Sequence, residues 1–495
     1  MVKLVGKAAT GIPGLDAVTG GGFQRGRLFL LEGNPGTGKT TIACQFLLEG
    51  LQAGEKGLYI TLSETEEELR ATSASHGWDF GDSVEIFELL PPENILDENQ
   101  QQSLLYSSDL ELGETTQRIF EAVERVQPDR IVLDSLSEIR LLAQSSLRYR
   151  RQILALKHYF AGYDTTVLML DDLTTDTLDK TVHSVAHAVI RLEELTLAYG
   201  ADRRRLRVLK YRGQRYRGGY HDFVIETGGV SVFPRLVSSE HMTEFQRTVL
   251  QTESKELNTL LGGGIERGSS TLISGPSGTG KTILAISFIA AAIKRGECAA
   301  MFIFDEELGL LFYRAKALGF DLEAMIRSGK LVVEQVDAAS LSPGEFSHHV
   351  RRWIEQDAAR TVVIDGLNGY QAAMPEERSL LLHMHELLQY LNRQGATTFL
   401  TIAQHGLVGD LYSPVDVTYL ADAVIVLRYF EAAGRVRRAI SVAKKRTSSH
   451  EDTIREYRID KRGITLGEPL VEFNGILRGD PSFVGGKPSL LNEQT

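Results

Sequence analysis

Two eight-residue stretches, GNPGTGKT at Gly33–Thr40 and GPSGTGKT at Gly275–Thr282, share the spacing Gly-x-x-x-x-Gly-Lys-Thr. Glycines so placed let successive backbone N–H groups turn toward phosphate oxygens at the positive end of the helix that follows. Lys39 and Lys281 can reach β- and γ-phosphates, and the hydroxyls of Thr40 and Thr282 can ligate Mg²⁺. The phosphate-contacting residues are therefore expected to be Gly36, Thr37, Gly38, Lys39, Thr40 and Thr41, and in the second stretch Gly278, Thr279, Gly280, Lys281, Thr282 and Ile283. The flanks agree: LFLLEG and TLISG read as buried strands, and TIACQFLLEGL and TILAISFIAAAI as helices. These are nucleoside triphosphate sites.

Such a site needs an acid for the metal at the end of a neighbouring buried strand. DRIVLDS supplies Asp134 and ARTVVIDG supplies Asp365, each after an apolar run of the kind a parallel strand covered on both faces requires. The separation from the first loop glycine is 101 residues (134 − 33) in one copy and 90 (365 − 275) in the other. The difference is assigned to a polar loop, Pro91–Gly113, which a partner could contact. A further acidic stretch, FDEEL at Phe304–Leu308, ends the strand after the second phosphate-loop helix. A carboxylate there could orient an attacking water or hydroxyl in line with the γ-phosphate, so Glu306 and Glu307 are candidate catalytic residues. Aligning RGECAAMFIFDEE with EKGLYITLSETEE makes Ser63-Glu64 the matching pair and leaves Glu64 as the candidate in the first copy.

The elements that position these residues recur as a unit. GIPGLDAVTGGGFQRGRLFLLEGNPGTGKTTIA from Gly11 returns as SKELNTLLGGGIERGSSTLISGPSGTGKTILA from Ser254, with Lys39 and Lys281 separated by 242 residues (281 − 39). A period of that size means two domains rather than a solenoid. They are placed at 1–240 and 241–495, joined through the polar stretch between Val237 and Thr252. The fold class is α/β, with a mostly parallel twisted sheet flanked by helices in each domain. Over 495 residues, 42% hydrophobic and 24% charged content is ordinary for a globular chain. No apolar run approaches a membrane span and no signal-peptide core is seen, which makes a cytoplasmic location the default. Cys44 and Cys298 are too few for a disulfide framework or a zinc site. His348 and His383 lack a metal-ligand pattern, so no metal besides Mg²⁺ is expected. A net charge of −11 gives no general attraction to nucleic acid. Gln404, in FLTIAQHG, ends an apolar strand at the site and could sense the γ-phosphate, while His405 reads as a structural or surface histidine.

The chain resembles the KaiC family of clock ATPases and autokinases within the RecA/DnaB-like superfamily. The resemblance is carried by GIPGLD before a triple glycine, both phosphate loops, both strand-end aspartates, the paired acids, HGWDF (His76–Phe80), LSPGEF (Leu341–Phe346) and LKYRG (Leu209–Gly213), over about residues 8 to 475. It implies two tandem RecA-like domains stacked as a double-ring hexamer, with ATP bound between neighbouring subunits. It also gives Lys210 and Arg212, and Lys444 and Arg446, the role of contacting the γ-phosphate of a neighbour's ATP. Each pair keeps a Lys-x-Arg spacing that puts both side chains on one face of a strand.

Aligning VTYLADAVIVLRYFE with the family's autophosphorylated segment places its two acceptor positions at Thr418 and Tyr419, and a nearby hydroxyl at Ser413. Thr418 and Ser413 are the candidate acceptors. A KaiB-like partner on the first ring is compatible with the resemblance. The terminal FNGILRGDPSFVGGKPSLLNEQT shows no match to the tail gripped by a KaiA-type activator. The competing expectation is a RecA/DnaB-like recombinase or helicase with DNA-dependent ATPase activity, which needs a basic groove with interleaved aromatics. The densest basic run, Arg203–Arg217, is better accounted for by an ATP interface.

Overall fold

The computed structural model of the chain describes residues 6–81, 83–89, 104–173, 181–197, 200–372, 374, 377–404, 417–432, 434–461, 463–478 and 482–484. It divides into two compact units, Met1–Arg235 and Leu236–Thr495. Leu236 is already buried among the apolar side chains of the second unit.

The main sheet of the first unit uses β1 (Leu28–Gly33), β2 (Gly57–Thr61), β3 (Val84–Glu88), β4 (Arg130–Asp134), β5 (Thr166–Asp172), β6 (Ala188–Leu195), β7 (Arg203–Tyr211), β8 (His221–Glu226) and β9 (Gly229–Phe233). Across the sheet they run β3-β2-β4-β5-β1-β6-β7-β8-β9. The six strands from β3 to β6 pair in parallel, and β7, β8 and β9 add an antiparallel edge. The second unit repeats this with β10 (Ser270–Gly275), β11 (Cys298–Ile303), β12 (Leu331–Gln335), β13 (Ala359–Asp365), β14 (Thr397–Ala403), β15 (Ala423–Ala432), β16 (Arg435–Lys445), β17 (Arg455–Asp460) and β18 (Gly463–Pro469), in the same order across the sheet. The two units are therefore tandem RecA-like domains.

The apolar runs place the strands. LFLLEG in β1 and STLISG in β10 are buried at every position, because helices cover both faces of a parallel sheet. One face of β1, Phe29 and Leu31, packs on the phosphate-loop helix α1 (Lys39–Gln52) through Ile42 and Phe46. The other face, Leu28 and Leu30, meets a separate cluster that includes Tyr149, Ile153 and Phe160. The second unit has the same two cores, with α2 (Lys281–Lys294) against Ile273 of β10 on one side and Leu272 facing the other. No helix among the described residues is long and apolar enough to cross a membrane.

The expected polar loop at Pro91–Gly113 lies outside the described residues as far as 103. From Leu104 the backbone is a helix that runs to Val126, so the helical hydrogen bonds begin well inside the expected loop.

Candidate active site

Each phosphate loop joins the C-terminal end of the central strand to a helix whose N-terminal residue is the loop lysine. This is the crevice where open α/β sheets bind ligands. Gly38 and Gly280 hold φ of 95° and 96°, a region that costs little only for glycine. A Cβ there would also collide with Cδ1 of Ile225 and of Ile459 respectively. Above Gly36, also at positive φ, nothing lies within 4 Å, which leaves room for a phosphate against the backbone. Thr37 and Thr279 turn their hydroxyls onto the loop's own carbonyls at Asn34 and Pro276, 2.7 and 2.8 Å away, so they brace the loop. Thr41 and Ile283 are buried on the first turn of their helices.

Lys39 Nζ donates to the carbonyls of Gly33 and Asn34, and Lys281 Nζ to those of Gly275 and Pro276, all at 2.9 Å. The two lysines then differ. Lys39 also pairs with Asp172 at 2.6 Å. Position 172 corresponds to Ala403, since Gly33 aligns with Asp172 across β1 and β5 as Gly275 aligns with Ala403 across β10 and β14. Burial lowers the Lys281 ammonium to about 8, against a partial restoring pull from Asp365 and Asp305.

The strand-end acids lie where a metal would need them. Asp134 and Asp365 are each only 7% exposed. Burial raises both carboxyls above the usual range, Asp134 to about 6. Asp134 accepts from the Tyr59 hydroxyl at 2.6 Å, whereas Asp365 accepts from the hydroxyls of Thr401 and Thr282. A buried carboxylate beside a loop hydroxyl is the hard-oxygen donor set that Mg²⁺ takes together with phosphate oxygens, so these residues fit that ion.

The glutamates need a correction. Thr61 pairs with Asp134 as Ile303 pairs with Asp365, which fixes Ser63 opposite Asp305, Glu64 opposite Glu306 and Thr65 opposite Glu307. The matching pair for Ser63-Glu64 is thus Asp305-Glu306, one residue earlier than the spacing of FDEEL suggested. Glu307 is the N-cap of the helix Leu308–Ala317 and accepts from the N–H groups of Gly309 and Leu310 at 2.7 and 2.8 Å. Its carboxylate is spent on the orphan donors of that helix, as Thr65 is on the helix Glu66–Ser75. It is not among the residues lining a cavity of about 540 Å³ over the second phosphate loop. Asp305, Glu306, Lys281, Thr282, Asp365 and Ala403 do line it, together with Arg314 and Arg438. In the first unit Glu64 is part-buried with Oε2 lacking a hydrogen-bond partner among the described residues, and burial raises its pKa. Gln404 donates its backbone N–H to the Gly275 carbonyl, and its side-chain Oε1 is buried with no partner among the described residues.

With this geometry the comparisons with known proteins agree. The family model described as ATPase: KaiC matches residues 8–237 and again 250–471. The chain belongs to the KaiC family of ATPases. Its curated relatives include the circadian clock protein KaiC3 of Synechocystis sp., 29% identical over 96% of this chain and 95% of the relative. The circadian clock oscillator protein KaiC of Picosynechococcus sp. is 27% identical over 98% and 94%. That of Prochlorococcus marinus is 28% identical over 96% of both. Membership carries ATP binding with it. It does not favour a recombinase or helicase.

Within this KaiC-family chain the Lys-x-Arg pairs lie away from their own loops. Lys210 pairs across the sheet with Val189 and Lys444 with Val424, on the face opposite α1 and α2. Neither Lys444 nor Arg446 lines the second-unit cavity. Lys210 donates to the carbonyls of His183 and Ala186, and Arg212 to that of Ser184. Equivalently, Lys444 donates to the carbonyls of Thr418 and Ala421, both at 2.8 Å, and Arg446 to that of Tyr419 at 3.1 Å. The candidate acceptor Thr418 is thus held by the cations themselves, and Tyr419 beside it is half exposed. Ser413 and His405 lie outside the described residues. His383 is a core residue, hydrogen-bonded to Ser347 and Tyr370, and Cys44 is buried against the first-unit core.

Asp172, Asp305, Arg314 and Arg438 were not singled out from the sequence. Asp305 and Asp172 were within reach, since Asp172 ends a strand beside the first phosphate loop and Asp305 follows a strand end by two residues. Arg314 sits eight residues beyond Glu306, and only the helix turns bring it back.

Proposed function

We propose that the chain binds ATP with Mg²⁺ in both units and hydrolyses it at interfaces between copies arranged as a double-ring hexamer. The second ring would also phosphorylate Thr418 of a neighbouring copy. The observation that carries this reading is the placement of Lys210, Arg212, Lys444 and Arg446 on the sheet face opposite their own phosphate-loop helices. Cations at that position are useful to a triphosphate only if it belongs to the adjoining copy, where they would stabilise charge on the transferring phosphoryl group.

In hydrolysis, Glu64 or Glu306 orients a water whose oxygen attacks the γ-phosphorus. The bond to the β,γ-bridging oxygen breaks, ADP leaves, and the water proton passes to the carboxylate. For phosphorylation the Thr418 hydroxyl replaces the water. That hydroxyl belongs to the segment clamped by Lys444 and Arg446, so the cations and the acceptor would approach the neighbour's ATP together. Several relatives are named circadian clock proteins, which supports a timing or signalling role. The same reading takes a cytoplasmic location and leaves the first ring open to a small KaiB-like partner.

A mixing experiment tests the interface. Second-ring turnover is read in the Lys39→Ala background, comparing Lys281→Ala copies, Arg446→Ala copies and a mixture of the two. Separately inactive copies should regain activity when mixed, because some interfaces then join an intact loop to an intact cation. Mixed oligomers with no recovery would overturn the reading. Phosphopeptide mass spectrometry after incubation with Mg-ATP tests the transfer step, and no phosphate on Thr418 would remove the kinase part alone.

A further inference from the structure

The two phosphate-loop lysines have different third partners. A lysine ammonium has three N–H donors. Lys39 uses two on the carbonyls of Gly33 and Asn34, and its ammonium forms an ion pair with Asp172 Oδ1. Lys281 makes the same two carbonyl bonds, and no acid pairs with it among the described residues, because the residue corresponding to Asp172 is Ala403. Ala403 lines the second-unit cavity together with Lys281, so this strand-end position faces the phosphate site.

We propose that Asp172 sets the nucleotide affinity of the first site, acting as an internal competitor that a phosphate must displace from Lys39. A phosphate oxygen arriving at Lys39 has to compete for the ammonium charge that Asp172 neutralises. The displaced carboxylate then remains at the strand end beside the loop, where it repels the incoming negative charge. Asp134 and Glu64 feel the same field, since Asp172 raises the pKa of each. In the second site Lys281 forms no ion pair among the described residues and position 403 brings no charge, while Asp305, which stands where the first unit has Ser63, pulls on Lys281 through space alone. The first site should therefore bind ATP more weakly than it would without Asp172, by an amount traceable to that one side chain. The Lys39–Asp172 pair is mostly shielded from water, at 8% and 28% side-chain exposure, so bulk screening does not erase the effect.

This inference rests on the reading that both loops bind ATP, and a reciprocal exchange in the full chain separates the two. Equilibrium binding of a fluorescent non-hydrolysable ATP analogue with Mg²⁺ is measured in two backgrounds, Lys281→Ala for the first site and Lys39→Ala for the second. Asp172→Ala should tighten binding at the first site roughly tenfold, about 1.4 kcal/mol. Ala403→Asp should weaken the second site by a similar factor. Asp172→Asn, which keeps the shape and removes the charge, should follow Asp172→Ala. Unchanged or weaker binding in both Asp172 variants overturns the proposal. If those variants fail to fold, unchanged binding in Ala403→Asp overturns it instead. Background chains that bind no analogue at either site would refute the ATP reading itself.

Discussion

Arg314 Nη2 lies 2.8 Å from Glu306 Oε2 in the lining of the second-unit cavity, whereas the first unit has Thr72 where that arginine would stand beside Glu64. Burial raises the pKa of Glu306, and the Arg314 guanidinium pulls it back down. A glutamate that orients water or a hydroxyl must be ionised, so its contribution is present above its pKa and lost as pH falls through it. Arg314→Thr removes the lowering influence and leaves the burial. The acid limb of second-ring turnover should move to higher pH in this variant, while the first-ring profile stays put. Profiles measured in the Lys39→Ala background check this, and an acid limb that does not move would show that Arg314 does not act on Glu306.

Glu306 and Glu307 should separate cleanly. Glu306→Gln is expected to abolish second-ring turnover with nucleotide binding retained, since it removes the carboxylate that lines the cavity. Glu307→Ala removes a helix cap and should lower the thermal unfolding midpoint slightly with turnover largely intact. Thermal unfolding beside ATP turnover tells them apart, and loss of turnover in Glu307→Ala with normal stability would restore its catalytic assignment.

Gly38→Ala and Gly280→Ala should each silence the loop they sit in. The added Cβ meets Ile225 or Ile459, and the required φ is one that alanine rarely adopts. Analogue binding at the altered site should fall below detection while the other site binds normally.

Much of this was legible in the sequence because phosphate binding depends on backbone geometry that only a few residues allow. Gly38, Lys39 and Thr40 announce themselves by spacing, and the duplication doubles the signal. The strand-end aspartates could be read from the apolar runs before them, since a parallel strand buried on both faces leaves little choice of residue until it ends. FDEEL was harder. A strand end and a helix N-cap favour the same acidic residues, so only the pairing of Ile303 with Asp365 shows that the strand stops one residue earlier and that Glu307 begins the helix. Asp172 and Arg314 are set by side chains meeting across separate elements, and no local pattern encodes such a meeting.

The two strand-end aspartates are held by different partners, and this should appear as a difference in metal dependence. Tyr59 donates to Asp134 at 2.6 Å, while the corresponding residue in the second unit is Met301 and Asp365 leans on Thr401 and Thr282. Groups that orient a ligating carboxylate typically contribute about 10- to 100-fold to metal affinity. Tyr59→Phe keeps the ring that fills the first-unit core and deletes the hydroxyl alone, leaving a buried carboxylate short of a donor. The Mg²⁺ concentration for half-maximal first-ring turnover should rise about tenfold. Second-ring turnover, measured in the Lys39→Ala background, should keep its Mg²⁺ dependence. An equal shift in both rings would trace the effect to assembly rather than to Asp134.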